Sequence, residues 1–115
     1  MQMDRGYVLM VTRRELGGGN AELGSLLMVK FLRAVETAPA LPGSVILLNG
    51  GIHLALDDSP VLEILRRLIA RGVAVRACGT CLDFYGARER LSAGEVGTMD
   101  QAAASLAAAS RTLVI

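Results

Sequence analysis

Four short apolar runs alternate with stretches of helical periodicity, and in a chain of 115 residues that alternation leaves little choice of fold. Tyr7 to Thr12 (YVLMVT) reads as a buried strand, and Ser44 to Leu48 (SVILL), Val73 to Ala77 and Thr112 to Ile115 read as further strands. Glu22 to about Ala38 reads as a helix. Leu23, Leu26, Leu27, Phe31 and Val35 share one face of it, with Glu22, Arg33 and Glu36 on another. Met28, Val29 and Leu32 widen the apolar side, which fits a helix covered on two sides. Pro39 and Pro42 close it. Ser59-Pro60 reads as an N-cap followed by proline at the first helical position, opening a helix to about Arg71. That helix is expected to bury Val61, Leu62, Leu65, Leu68 and Ile69, with Gly72 at its C′ position. A short helical stretch is expected from Leu82 to about Arg90. Thr98-Met99-Asp100-Gln101 matches a capping box opening an Ala-rich helix to Ala109. Strand, turn and helix in repetition predict one α/β domain over 1–115. Its parallel sheet has about four to five strands, with helices on both faces.

A parallel sheet sends the loops that leave its strands to one edge, where ligands bind. Two such loops are glycine-rich, Gly17-Gly18-Gly19-Asn20 and Asn49-Gly50-Gly51, and a third is Cys78-Gly79-Thr80-Cys81. A thiolate is the reactive form of cysteine, and free N–H groups at a helix start favour it. Cys78, nearest the strand end, is therefore expected to react first. Cys81, one turn on and more shielded, is placed to resolve a disulfide or persulfide. Gly79 lets the backbone turn beside an incoming sulfur. The competing reading packs both cysteines as small hydrophobes.

A thioredoxin-like site needs a cis-proline opening a later strand, and Pro39, Pro42 and Pro60 open none. A zinc site needs four ligands. One C-x-x-C gives two, and His53 is the sole histidine, so Asp57, Asp58, Asp83 or a second subunit would have to complete it. No metal site is therefore expected. The loop holding Gly18, Gly19 and Asn20 lacks the Gly-Lys-Ser/Thr of a P-loop, and Glu22 occupies the third glycine position of a G-x-G-x-x-G pattern. It reads equally as a small-anion cradle or as a tight turn. Asn49 can orient a ligand beside Gly50 and Gly51, or simply turn the chain.

Composition excludes several partner classes. Net charge is +1, from 12 basic and 11 acidic residues with no basic block, and aromatics are 3% with no tryptophan. That argues against nucleic acid, which wants a basic stripe or stacking rings. The apolar lead-in after Met1-Gln2-Met3-Asp4-Arg5-Gly6 breaks at Arg13-Arg14, too soon for a signal peptide, and no apolar run reaches a membrane span. The expectation is a soluble cytoplasmic protein, where two near thiols serve chemistry before structure. The 52% hydrophobic content predicts that some apolar surface is buried in a homo-oligomer, a dimer or trimer.

The chain resembles the DsrE/DsrF-like family, and within it the C-terminal domain of YedF-type selenium-metabolism proteins. The resemblance rests on Gly19-Asn20-Ala21-Glu22-Leu23-Gly24, Asn49-Gly50-Gly51, Ser59-Pro60-Val61-Leu62, Cys78-Gly79-Thr80-Cys81-Leu82-Asp83-Phe84-Tyr85-Gly86 and Gly94-Glu95-Val96. It implies a DsrE-like three-layer sandwich, often oligomeric, whose relatives carry sulfur as a cysteine persulfide in relay systems. The carrier cysteine of the wider family stands eight residues before a glycine, which falls here on Cys78 and Gly86. YedF-type proteins also carry an N-terminal TusA-like sulfur-carrier domain. This chain has none, so a separate TusA-like carrier or another persulfide donor is the expected partner. Thr98 stands where an asparagine is common before the methionine.

Three functions stay open on these readings. The first is a sulfur relay protein or sulfurtransferase using Cys78 and Cys81 without metal or organic cofactor. The second is a non-catalytic module that binds a small anion or nucleotide and senses redox state. The third is a structural subunit whose apolar helix faces serve assembly.

Overall fold

The computed structural model describes residues 6–115, so the Met1 to Arg5 lead-in lies outside the described residues. Strand β1 (Val8–Val11) alternates its side chains between two layers. Leu9 and Val11 enter the main core, while Val8 and Met10 face a smaller cluster on the other side. Helix α1 (Ala21–Thr37) follows, then β2 (Ser44–Leu47) and a 3-10 segment over Asn49–Ala55. Next come α2 (Leu62–Ala70), β3 (Ala74–Cys78), α3 (Gly79–Phe84), a 3-10 turn over Arg88–Arg90, β4 (Glu95–Gly97), α4 (Met99–Ala108) and β5 (Thr112–Val114). The five strands are all parallel, in the order β4-β3-β2-β1-β5.

That order fixes the layers. Neighbouring strands β1, β2 and β3 are joined through α1 and α2. These helices cover one face with Met28, Leu32, Val35, Ile64, Leu65 and Leu68 against Leu9, Val11, Val45, Leu47, Val75 and Ala77. The connection from β4 to β5 must cross the whole sheet, and α4 does so on the opposite face. There Ala102 and Leu106 meet Val8, Met10 and Ile46. The expected single domain with helices on both faces of a parallel sheet is the observed one.

Several elements depart from the sequence reading. Strand β4 lacks an apolar run of its own, and only its pairing of Arg76, Ala77 and Cys78 with Glu95, Val96 and Gly97 defines it. Helix α1 buries Gly24, Met28, Leu32 and Val35 and turns Leu23, Leu26 and Leu27 outward, so one side is covered, not two. Gly24 sets that rotation. A Cβ there would lie 2.7 Å from Glu15 Cβ, and the Gly24 carbonyl accepts from Leu16 N–H at 3.0 Å, pressing the first turn against the preceding loop.

Helix α2 starts at Leu62. Ser59 Oγ accepts from Val61 N–H (3.1 Å), so Ser59 shapes the entry turn instead of capping the helix. Ile69, expected inside, lies on the outer face, and Ile64 takes the inward position. Gly72 is the C′ residue as expected, with Val73 N–H bonded to Leu68 O and Gly72 N–H to Ile69 O. Helix α3 begins three residues before the expected Leu82 and stops at Phe84. Gly86 at φ 61° ends it in the same motif, with Ala87 N–H on Leu82 O and Gly86 N–H on Asp83 O. Among the described residues, no helix is long and apolar enough to cross a membrane.

Candidate functional site

Both cysteines sit at the carboxyl edge of the sheet. Cys78 is the last residue of β3 and the N-cap of α3, its Sγ accepting from Cys81 N–H at 3.4 Å. Cys81 is therefore in the first turn of α3. Both thiols are free, and the bond that joins the pair is the one from Cys81 N–H to Cys78 Sγ. Their exposure reverses the sequence expectation. Cys78 is 6% exposed, folded under the strand end and lining a narrow crevice with Arg76, Thr98 and Gln101 on the α4 side. Cys81 is half-buried and lines an open basin of about 270 Å³ with Asn49, Thr80, Phe84 and Tyr85.

The exit of β2 completes the basin. Asn49 N–H donates to Cys81 Sγ at 3.1 Å, and Tyr85 Oη–H donates to Asn49 Oδ1 at 2.8 Å. Asn49 is held at φ 50°, a left-handed conformation that asparagine tolerates better than most residues. The Tyr85 ring stands edge-on to His53, centroids 4.7 Å apart, and Phe84 stands edge-on to Tyr85 at 5.4 Å. His53 Nδ1 lies 3.1 Å from Gly50 O. A carbonyl only accepts, so Nδ1 carries the proton and Nε2 faces away from that bond. Burial pushes the Cys81 thiol pKa up and the neighbouring Cys78 adds to it, while the Asn49 N–H pulls it down. Arg88 braces α3, meeting Asp83 through two bonds of 2.8 and 3.0 Å and reaching Gly79 O at 3.5 Å.

The other expected site residues divide. Asn49, Thr80 and Cys81 come together, and Gly79 packs beneath, where a Cβ would lie 3.0 Å from Arg88 and Val96. Gly51 is structural, because a Cβ there would overlap the Val11 carbonyl oxygen. Gly50 lies against Arg13 in the same junction. Gly18 and Gly19 are exposed, with nothing near a hypothetical Cβ beyond the tip of Arg13. Asn20 Oδ1 is spent capping α1 through Leu23 N–H at 2.9 Å. The Gly18, Gly19, Asn20 loop therefore lines no cavity with the thiols. Phe84 and Tyr85 are the basin residues that sequence reasoning left without a role, though both lie inside the quoted Cys78 to Gly86 segment.

A second cavity of about 120 Å³ lies beyond His53, lined by Arg14, Ser25, His53, Asp58 and Ser59 over an apolar floor. Among the described residues, no cluster of three or more His, Cys, Asp and Glu side chains could hold a metal ion.

No family model and no curated protein matches the chain. Solved structures do. The ychN protein of E. coli aligns over 100% of both chains with a TM-score of 0.64 and 20% identity. MTH1491 of Methanobacterium thermoautotrophicum, described as a protein of unknown function, aligns over 95% of this chain and 97% of its own, with a TM-score of 0.68 and 16% identity. The chain shares the fold of these two proteins, a parallel sheet with helices on both faces. At these identities the likeness concerns architecture, and the chemistry rests on the residues of this chain.

Proposed function

We propose that this protein carries sulfane sulfur as a cysteine persulfide on its Cys78/Cys81 dithiol, within a relay. The observation that carries this reading is the pair itself: two free thiols joined by the Cys81 N–H to Cys78 Sγ bond, at a strand-to-helix turn, opening on a basin at the carboxyl edge of a parallel sheet. A thiolate of the pair attacks the outer sulfur of a donor persulfide. The donor's S–S bond breaks as the new one forms, and the donor leaves as a thiolate. Sulfur changes hands with no external oxidant, reductant or metal. The DsrE-like fold supports the reading, as does the resemblance to YedF-type domains. A TusA-like carrier or another persulfide donor is the proposed partner, the cytoplasm the proposed compartment, and a homo-oligomer the proposed state. Selenium enters only if the YedF-type resemblance extends to substrate.

The test is cyanolysis. Protein treated with polysulfide and desalted is expected to release thiocyanate when cyanide is added, at about one equivalent per chain. The Cys78→Ser/Cys81→Ser double variant is expected to release none. Wild type that releases none from any donor sinks the reading.

One observation favours a second reading, small-anion binding. Arg14 lines the cavity beyond His53 with no ion pair among the described residues, and the Ser25 and Ser59 hydroxyls stand beside it. A thermal-shift panel of oxyanions and nucleotides separates the two.

A further inference from the structure

We infer that sulfur enters the dithiol at Cys81, not Cys78, and that Asn49 and Tyr85 are the positioning residues that hold Cys81 for the exchange. This deepens the sulfane-sulfur reading and rests on it. It also inverts the order that the sequence and its family resemblance suggest.

Access is the first argument. A donor persulfide has to bring its outer sulfur into line with the attacking thiolate, and Cys78 at 6% exposure offers no approach for that. Cys81 lines the open basin. Phe84, 84% exposed at the basin's lip, gives the carbon part of a donor an apolar surface to lie on.

The second argument is the hydrogen bond on Cys81. A main-chain N–H aimed at sulfur stabilises a thiolate more than a thiol. Here the donor is Asn49 N–H, 32 residues away in sequence. The backbone is held in the left-handed region to supply it, and strain of that kind is kept only where surrounding contacts enforce it. Those contacts are present. Tyr85 Oη–H fastens the Asn49 side chain, the His53 ring backs Tyr85, and Gly50 O holds the His53 ring. None of these hydrogen bonds and ring contacts involves Cys78.

The chemistry then runs inward. Cys81 Sγ, as thiolate, attacks the outer sulfur of R–S–SH. The donor's S–S bond breaks, and R–S⁻ leaves with the electron pair and takes up the proton that Cys81 gave up. Cys81 becomes Cys81–S–SH. Cys78, as thiolate, can next attack the outer sulfur; the Cys81 S–S bond breaks, forming Cys78–S–SH and returning Cys81 as a thiolate to the Asn49 N–H. Each step breaks one S–S bond and forms one, so electrons balance. Burial and the neighbouring Cys78 push the Cys81 thiol pKa upward, and the Asn49 N–H opposes them.

Thiol order is tested on the full reduced chain with limiting iodoacetamide, followed by peptide mapping. Cys81 is expected to be alkylated at least about tenfold faster than Cys78. Tyr85→Phe removes only the hydroxyl. It is expected to raise the apparent pKa of Cys81 alkylation and slow it about three- to tenfold at neutral pH, while leaving the high-pH plateau within about twofold. Asn49→Gly keeps both the left-handed backbone and the N–H but loses the Tyr85 acceptor, and is expected to fall between. Faster alkylation of Cys78, or a Tyr85→Phe pH profile superimposed on wild type, overturns the inference. With polysulfide as the probe, Cys81→Ser is expected to slow sulfur uptake about tenfold or more, whereas Cys78→Ser loads at the wild-type rate and keeps the adduct. Normal loading of Cys81→Ser overturns the entry order and leaves the proposed function standing. Loading of neither thiol in wild type overturns both.

Discussion

Gly51 and Gly18 show how differently two glycines of similar sequence context are used. Gly51 sits where the exit of β2 crosses the end of β1, and there is no room between it and the Val11 carbonyl for a methyl group. Leu48 N–H bonds to that same Val11 carbonyl at 3.0 Å, so the junction cannot open without loss. Gly51→Ala is expected to destabilise the protein by about 2–4 kcal/mol through this overlap, read as a lowered urea midpoint. Gly18→Ala, with only Arg13 Nη1 near at 3.9 Å, is expected to stay within about 0.5 kcal/mol. Equal effects at both positions would contradict this assignment. At the same scale, Cys81 owes its setting to Asn49 and Tyr85, and its reactivity belongs to that trio more than to the C-x-x-C spacing.

At the scale of elements, α1 and α2 are clamped by one charged contact. Glu36, the buried acid of α1, takes Arg67 Nε and Nη2 through its two carboxylate oxygens, while its main-chain oxygen accepts from Arg71 at 2.7 Å. The Arg67 bonds hold the Glu36 carboxyl below the usual range. A depressed carboxyl stabilises the fold above its unfolded value, and that contribution is lost as pH falls through the folded one. Glu36→Gln is expected to cost about 0.5–1 kcal/mol at neutral pH, since Arg67 is half exposed. It is also expected to shrink the drop in urea midpoint between pH 7 and pH 3. An unchanged acid dependence would contradict the clamp.

Local signals such as this scale of structure offers were mostly readable from sequence. The capping box of α4 is observed in full, with Thr98 Oγ1 accepting from Gln101 N–H at 3.1 Å and Gln101 Oε1 accepting from Thr98 N–H at 2.9 Å. Gly72 and the strand-to-helix placement of Cys78 were equally legible. What escaped depends on partners far along the chain. The rotation of α1 was hidden because its apolar residues surround the helix, and packing of Gly24 on the Glu15-Leu16 turn decides it. The three residues of β4 carry no pattern without Arg76 to Cys78 beside them. The hydrogen bond that Cys81 Sγ accepts comes from a residue 32 positions earlier.

Taken as a whole molecule, the sandwich is unevenly covered. Its main core is deep, yet Leu23, Leu26 and Leu27 on α1, Leu113 and Val114 on edge strand β5, and Met99 on α4 remain exposed. Exposed apolar surface of this extent, together with an open edge strand, is what self-association would cover. Light scattering at micromolar concentration is expected to give a multiple of the chain mass, and a single-chain mass would defeat that expectation. The central claim, that the dithiol carries sulfur, is open to a direct test because the chain has only two cysteines. The measurement is intact mass after reduced protein is incubated with polysulfide and quenched. The account predicts that wild type gains the mass of at least one sulfur atom, removed again by dithiothreitol, and that the Cys78→Ser/Cys81→Ser variant gains nothing. Wild type with unchanged mass, or a double variant carrying the same adduct, would contradict it.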